Sequence, residues 1–331
     1  MVAGSKLRRA RPQAVPAAFN GPVFLAEPSM LKNTFVHVPG IGDRTEQSLW
    51  NLGIHSWEIL LADSSPRLPI AGKRASELIR HIDESVLRLE EGDVRYFAGL
   101  LTPGLYWRFF PDFMRKTAYL DIETTGLGSP DDHVTALTVY DGTSIRCFVH
   151  GENMDSFAEE IDRFDVIVTY NGKCFDIPFL RHCLGLPMDQ VHIDLRYILA
   201  ALGYRGGLKG CERRLGIARD ELEGVDGFFA VLLWDEYVRN RNPRALETLL
   251  AYNIADTVNL ERLMVEAYNI KVAQTPFSGS LALQIHPPPP SPFSADTALI
   301  EHIRQKWVHG LNPGDSFLPS LRENALPPPT L

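Results

Sequence analysis

Four carboxylates in this sequence have the types and spacing to gather divalent cations, with a tyrosine beside the last of them. In AYLDIETTGL, Asp121 and Glu123 stand two apart in a strand-like run, and residues two apart on a strand project from the same face. Two acids side by side repel unless a cation or a proton sits between them. In VIVTYNGKCFDIPFL a β-branched run ends at the turn signal Tyr170-Asn171-Gly172, and Asp176 follows at a helix start. In LLAYNIADTVNLERLM, Tyr252 and Asp256 are four apart on a helical pattern and therefore share a face. Taken singly, each has a plainer reading. Asp121 and Glu123 could be outward polar residues of a half-exposed strand, Asp176 an acid favoured by a helix dipole, and Tyr252 a core aromatic. The set in order is more informative than its parts.

The elements that must position these residues can be read in outline. AYLDI, HVTALTVYD, SIRCFVH and VIVTYN are β-branched or alternating runs, so a strand-rich stretch opens near Lys116. The pattern after Asn171 is helical up to about Ile270, and strands followed by helices imply an α/β layered core with a mixed sheet. Ahead of it, residues 1–30 are rich in Ala, Pro and Gly without a period and read as a disordered arm. Residues 31–112 read as a small helical domain and 113–272 as the α/β domain. Residues 273–331 read as a proline-rich tail that includes four consecutive prolines, Pro287 to Pro290. Within that tail, DTALIEHIRQKWVHG has an apolar stripe of Ile300, Ile303 and Trp307 with Leu299 adjoining, Asp296 to cap it and Gly310 to end it. Such a stripe either folds back or docks on another protein, for which a helicase is one candidate.

Asp-x-Glu, Asp, Asp, with a tyrosine four residues before the last acid, resembles the DEDD exonucleases of the tyrosine subtype, a superfamily of ribonuclease H-like folds. The histidine subtype needs His where this chain has Ala251. Across about residues 116–268 the similarity is greatest to the YprB-type ribonuclease H-like family. It includes the segment HIDLRYILAALGYRGGLKGCERRLGI between the second and third motifs. The resemblance implies a ribonuclease H-like mixed sheet flanked by helices. It also implies two Mg²⁺ or Mn²⁺ ions, with Asp121 bridging both, Glu123 and Asp256 each ligating one, and Asp176 holding the second largely through water. Phosphodiester hydrolysis needs a nucleophile, a charge sink and help for the leaving oxygen, which two ions about 3.5–4 Å apart supply through hard oxygen ligands. Tyr252 is implied to orient the attacking water; with an ordinary pKa near ~10 it is a poor base at neutral pH. Attack on the 3′-terminal phosphodiester is likewise implied by the family and not by spacing.

Candidate nucleic-acid contacts lie elsewhere in the chain. Between the second and third motifs Arg205, Lys209, Arg213, Arg214 and Arg219 outnumber Glu212, behind Gly206-Gly207. The cluster, with Lys209, Arg213, Arg214 and the turn residue Asn171 foremost, reads as phosphate contacts or as a solvated helix face. Asp194, at the end of a short strand in HIDL, reads as structural. In FVHVPGIGDRTEQSLWNLGIHSWEIL, the run Val38-Pro39-Gly40-Ile41-Gly42 resembles a helix-hairpin-helix, in which backbone amides at Gly40 and Gly42 approach phosphates irrespective of base. LPIAGKRASELIRHID is a degenerate second copy, with Gly72 and Lys73 at its turn. Such hairpins also serve as packing or protein-interaction elements.

Composition sets outer limits. The chain is 45% hydrophobic and 22% charged with a net charge of −8, an ordinary globular balance. Residues 114–270 hold 16 basic against 25 acidic side chains, so local patches rather than the total must attract phosphate. No apolar run approaches the ~20 residues of a membrane span. The four cysteines have no metal-ligand spacing and read as reduced, small buried residues. No GxxxxGK[ST] motor motif occurs. The combined expectation is a cytoplasmic 3′→5′ exonuclease acting on DNA, plausibly in DNA repair. An exoribonuclease of the same fold and a non-catalytic DNA-binding adaptor are the alternatives.

Overall fold

A computed structural model describes residues 29–63, 67–218, 222 and 225–309. Five strands form one mixed sheet in the order β3-β2-β1-β4-β5. They are β1 (Thr117–Thr124), β2 (Val134–Tyr140), β3 (Ile145–Val149), β4 (Val166–Thr169) and β5 (Val191–Asp194). β1 sits in the middle, antiparallel to β2 and parallel to β4; β2 and β3 are antiparallel, β4 and β5 parallel. Central position buries both faces of β1, so its side chains split between two layers. Ala118, Leu120 and Ile122 pack with α6 (Phe157–Ile161) and α7 (Asp176–Leu184). Tyr119, Asp121 and Glu123 alternate onto the opposite face.

Two long helices cover that opposite face. α10 (Gly227–Asn240) begins at Asp226, whose carboxylate accepts from the Phe229 amide at 2.9 Å. α11 (Pro243–Val272) begins with Asn242 as its cap and proline at its first position, where the missing N–H costs nothing. At 30 residues α11 spans about 45 Å. It therefore reaches from the acidic motif of β1 into a second packing region. α8 (Leu195–Ala201) and α9 (Gly207–Arg214) complete this layer.

The region before β1 is helical: α1 (Asp43–Asn51), α2 (Trp57–Ala62), α3 (Lys73–Glu90), α4 (Val94–Leu100) and α5 (Phe110–Phe113). Its apolar side chains do not close a core of their own. Leu49, Trp57, Leu78, Phe97, Phe109 and Phe113 join one cluster with Val166 and Val168 of β4, Ile193 of β5 and Leu263 to Tyr268 of α11. Inside it, Glu46 and Arg108 form a buried two-pronged ion pair at 2.9 and 3.0 Å, and Glu46 also accepts from the backbone amides of Phe35 and Val36. The expected arm of residues 1–30 overlaps the described chain only at Ser29 and Met30, and Met30 is a correction to it, being fully buried in this core.

A second difference concerns the segment after residue 272, expected as a tail. Phe277 is buried edge-on against Trp50, and Leu283 is pinned to α11 by two hydrogen bonds with Asn269. The amphipathic segment forms α12 (Thr297–His309), whose Ile300 and Ile303 are buried against α10 and α11. The Asp296 carboxylate accepts from the Leu299 amide at 2.9 Å, as a cap should, and pairs with Arg244. Two of the three stripe residues thus fold back on this chain, while Trp307 stays 44% exposed with its ring edge-on to Phe228, so the stripe as a whole is not a free docking face for a helicase. Gly310 lies outside the described residues. The cysteines also differ from expectation: none is paired, but only Cys211 is buried and Cys174 is exposed. Among the described residues no helix is long and apolar enough to cross a membrane.

Each buried aliphatic side chain contributes about 1.5–3 kcal/mol of transfer energy. Truncation after Thr275 should therefore lower the melting temperature by about 5 °C or more in differential scanning calorimetry. An unchanged midpoint would contradict the docked position of α12.

Candidate metal centre

The acidic group is assembled from the centre of the sheet and the middle of one helix. β1 aims Asp121 and Glu123 at α11, and α11 returns Tyr252, Asn253 and Asp256 from consecutive turns. Oxygens of Asp121, Glu123 and Asp256 lie within 4.8 Å of one another. Glu123 and Asp256 are buried, Asp121 half-buried. Asn253, fully buried, donates from Nδ2 to Asp121 Oδ2 at 2.8 Å. Sequence reasoning passed over Asn253. The available signal was an amide inside an otherwise apolar helical stripe, three residues from Asp256.

Asp176 reaches the site differently. It is the first residue of α7 and 4% exposed, but it stands outside the tight group of three. The turn that delivers it is held by Asp194, which accepts from the amides of Asn171 at 2.8 Å, Lys173 at 3.1 Å and Arg196 at 3.0 Å. Asn171 adopts φ 67°, a left-handed conformation that asparagine tolerates. A Cβ on Gly172 would lie 2.2 Å from Thr169 Oγ1, which itself accepts from the Gly172 amide. Asp194 is thus a scaffold for the turn, in keeping with its structural reading.

Unbalanced negative charge dominates the electrostatics. Burial, then repulsion from Asp256, Glu123 and Asp176, pushes the Asp121 carboxyl well above the usual carboxylate range. Glu123 rises likewise through burial and Asp256, with Lys209 and the Asn253 amide opposing. Asp176 is pushed up to about 7 by burial and then by Asp194, against its own backbone amide and that of Ile122. An all-oxygen, hard donor set whose members disfavour one another's ionisation fits a divalent cation such as Mg²⁺ or Mn²⁺.

The basic candidates divide. Lys209 is half-buried, its ammonium 4.5 Å from the centre of the Tyr252 ring, and it donates to the Val225 carbonyl. Tyr252 itself is 3% exposed, one turn from Asp256. Arg213 and Arg214 are exposed on α9; Arg214 donates to the Gly203 carbonyl and lies over Tyr204. Glu212 is buried and bonded to Asn259, so α9 is not a uniformly solvated face. Arg219 lies outside the described residues. The Asn171 side chain is engaged through its carbonyl by Arg196. Gly40 and Gly42 are not gathered with the carboxylates. Gly40 has φ +82° and its carbonyl accepts from Arg74 at 2.6 Å; Gly42 caps α1 in extended conformation without a side-chain bond.

A model of the ribonuclease H superfamily matches residues 118–268. Over 176 residues the chain is 28% identical to a Bacillus subtilis (strain 168) protein named "Uncharacterized protein YprB", covering 44% of this chain and 40% of that one. Residues 118–268 thus form a ribonuclease H-like domain. Among solved structures, a family B DNA polymerase from the archaeon Pyrobaculum calidifontis is similar at 21% identity and a TM-score of 0.36. That similarity covers 51% of this chain and 27% of the polymerase. The chain thus spans about two fifths of the curated relative's length and about a quarter of the polymerase's. Within the ribonuclease H domain, β1 and α11 bring together three acids that could hold a metal.

The raised carboxyls give a pH signature. Their folded pKa values lie above the unfolded ones, so their contribution favours the metal-free fold at acid pH and fades as pH climbs through the raised values, about 7 for Asp176. Metal competes with those protons. The rise in melting temperature on adding Mn²⁺ should therefore be larger at pH 8 than at pH 5, as read by scanning calorimetry with and without the ion. A shift independent of pH would contradict metal binding at these carboxylates.

Proposed function

We propose that this chain is a metal-dependent 3′→5′ exonuclease that hydrolyses DNA by a two-metal-ion mechanism. The observation that carries the reading is the convergence of Asp121, Glu123 and Asp256 to within 4.8 Å, with Tyr252 one helical turn away. Asp121 and Glu123 from the strand and Asp256 from the helix would hold the ions, with Asp176 supporting one of them from the adjoining turn. When bound, two divalent ions supply a nucleophile at neutral pH and stabilise charge on the phosphorus and the leaving oxygen. Tyr252 orients the attacking water through its hydroxyl, and the packing of Lys209 on its ring limits where that hydroxyl can point. Lys209, Arg213 and Arg214 on α9 would contact the substrate's phosphates.

Polarity rests on the likeness of the ordered acids to tyrosine-subtype exonucleases. The preference for DNA rests on the glycine hairpin at Gly40 and Gly42. The first-turn amides of α1, behind a Gly42 that contributes no side-chain cap, suit a phosphate. DNA repair is the matching role.

Asp121→Ala or Asp256→Ala should lower hydrolysis of single-stranded DNA by ~10² or more while the fold persists, because nucleophile generation and charge stabilisation are lost together. Tyr252→Phe should be milder, since the acids remain. Digestion of 3′- and 5′-labelled DNA and RNA with Mg²⁺ or Mn²⁺ provides the readout. Mononucleotide should leave first from the 3′-labelled DNA. Mutant activity within a few-fold of wild type would defeat the assignment, and faster loss from RNA would shift the substrate.

The hairpin has its own test. Because the helical region shares its core with the sheet, a point change is cleaner than a deletion. A Cβ at Gly42 meets open space at an unstrained φ of −107°. Gly42→Asp should therefore keep or raise stability as a helix cap while placing a negative charge over the amides. DNA affinity by fluorescence anisotropy should fall several-fold, with a shallower salt dependence. Unchanged binding would mean that the hairpin serves packing alone.

A further inference from the structure

We propose that Asn253 is a positioning residue that holds the carboxylate of Asp121 in the arrangement a pair of divalent ions requires. The inference deepens the two-ion reading above and rests on it. Asn253 sits in the middle of α11, fully buried, on the face that carries Asp256 three residues later. An asparagine gains nothing there from helix propensity, and its amide competes for backbone partners. Instead its Nδ2 donates to Asp121 Oδ2 at 2.8 Å. Its Oδ1 is buried without a partner among the described residues. A leucine of the same branching would leave no such orphan, so the amide is held at a cost. Its orientation follows from charge: rotating it by half a turn would set the carbonyl oxygen against the Asp121 carboxylate.

The consequence is geometric. For Asp121 to hold divalent ions together with Glu123 and Asp256, its carboxylate plane would have to stay fixed. Rotation about the Asp121 Cβ–Cγ bond would move both oxygens at once. Asn253 pins one oxygen from the helix side, while β1 fixes the backbone from the sheet side. It also offsets part of the repulsion between the two strand acids before any cation arrives. Hydrogen bonds to metal-ligating side chains commonly contribute 10–100-fold to metal affinity.

The test is Mn²⁺ binding to the full chain, followed by electron paramagnetic resonance and isothermal titration calorimetry. Asn253→Leu removes the donor and keeps the branched shape. It should weaken Mn²⁺ binding tenfold or more with an unchanged circular dichroism spectrum, and nuclease activity should recover toward wild type at saturating Mn²⁺. Asn253→Ala carries the same expectation and replaces it if leucine does not fit. Affinity within twofold of wild type in either folded variant would overturn the role of Asn253. Absence of Mn²⁺ binding by the wild-type chain would instead overturn the two-ion reading itself.

Discussion

The concentration of carboxylates at one end of β1 is the constraint around which the rest of the structure is arranged. Asp121, Glu123 and Asp256 crowd within 4.8 Å, with Asp176 close enough to be felt by both strand acids. Like charges that close together in a poorly solvated site oppose their own ionisation, so the fold must hold them there against that repulsion. It does so with its two most rigid members, the central strand, bonded on both sides, and a 30-residue helix packed along the sheet. Side chains carried on such elements cannot relax apart as they would on loops.

The same logic explains features remote from the acids. α11 is long because it has two tasks. Its first half carries Tyr252, Asn253 and Asp256, and its second half, from Leu260 to Val272, anchors in the core built with the helical region. α12 and the segment before it brace the outer side, through Ile300 and Ile303 against α10 and α11 and through Leu283 on Asn269. The Asp194 clamp does for Asp176 what the helix does for Asp256, gathering three backbone amides so that the turn presents its acid in one place. Mutual repulsion of the acids at the centre is thus offset by dense packing and satisfied hydrogen bonds around them.

Much of this was legible in the sequence, for identifiable reasons. Strands β1 to β4 follow from β-branched alternation, and the placing of Asp121 with Glu123 from the two-residue period of a strand. Tyr252 and Asp256 follow from the four-residue spacing of a helix. What stayed hidden depends on tertiary contact. Nothing local shows that Glu46 would pair with Arg108 in the core, 62 positions away, or that Met30 would be buried. The proline run suggested a tethered tail, yet extended proline chain can also lead a helix back along its own protein, as it does to α12. Lys209 read as one of several surface cations because a sequence gives charge without direction; its place over Tyr252 depends on how α9 packs beside α11.

Anomalous diffraction from crystals soaked in Mn²⁺ tests the central claim most directly. The account predicts two anomalous peaks about 3.5–4 Å apart, both ligated by Asp121, one also by Glu123 and one also by Asp256. No peak at these carboxylates, or manganese bound only elsewhere on the chain, would contradict it.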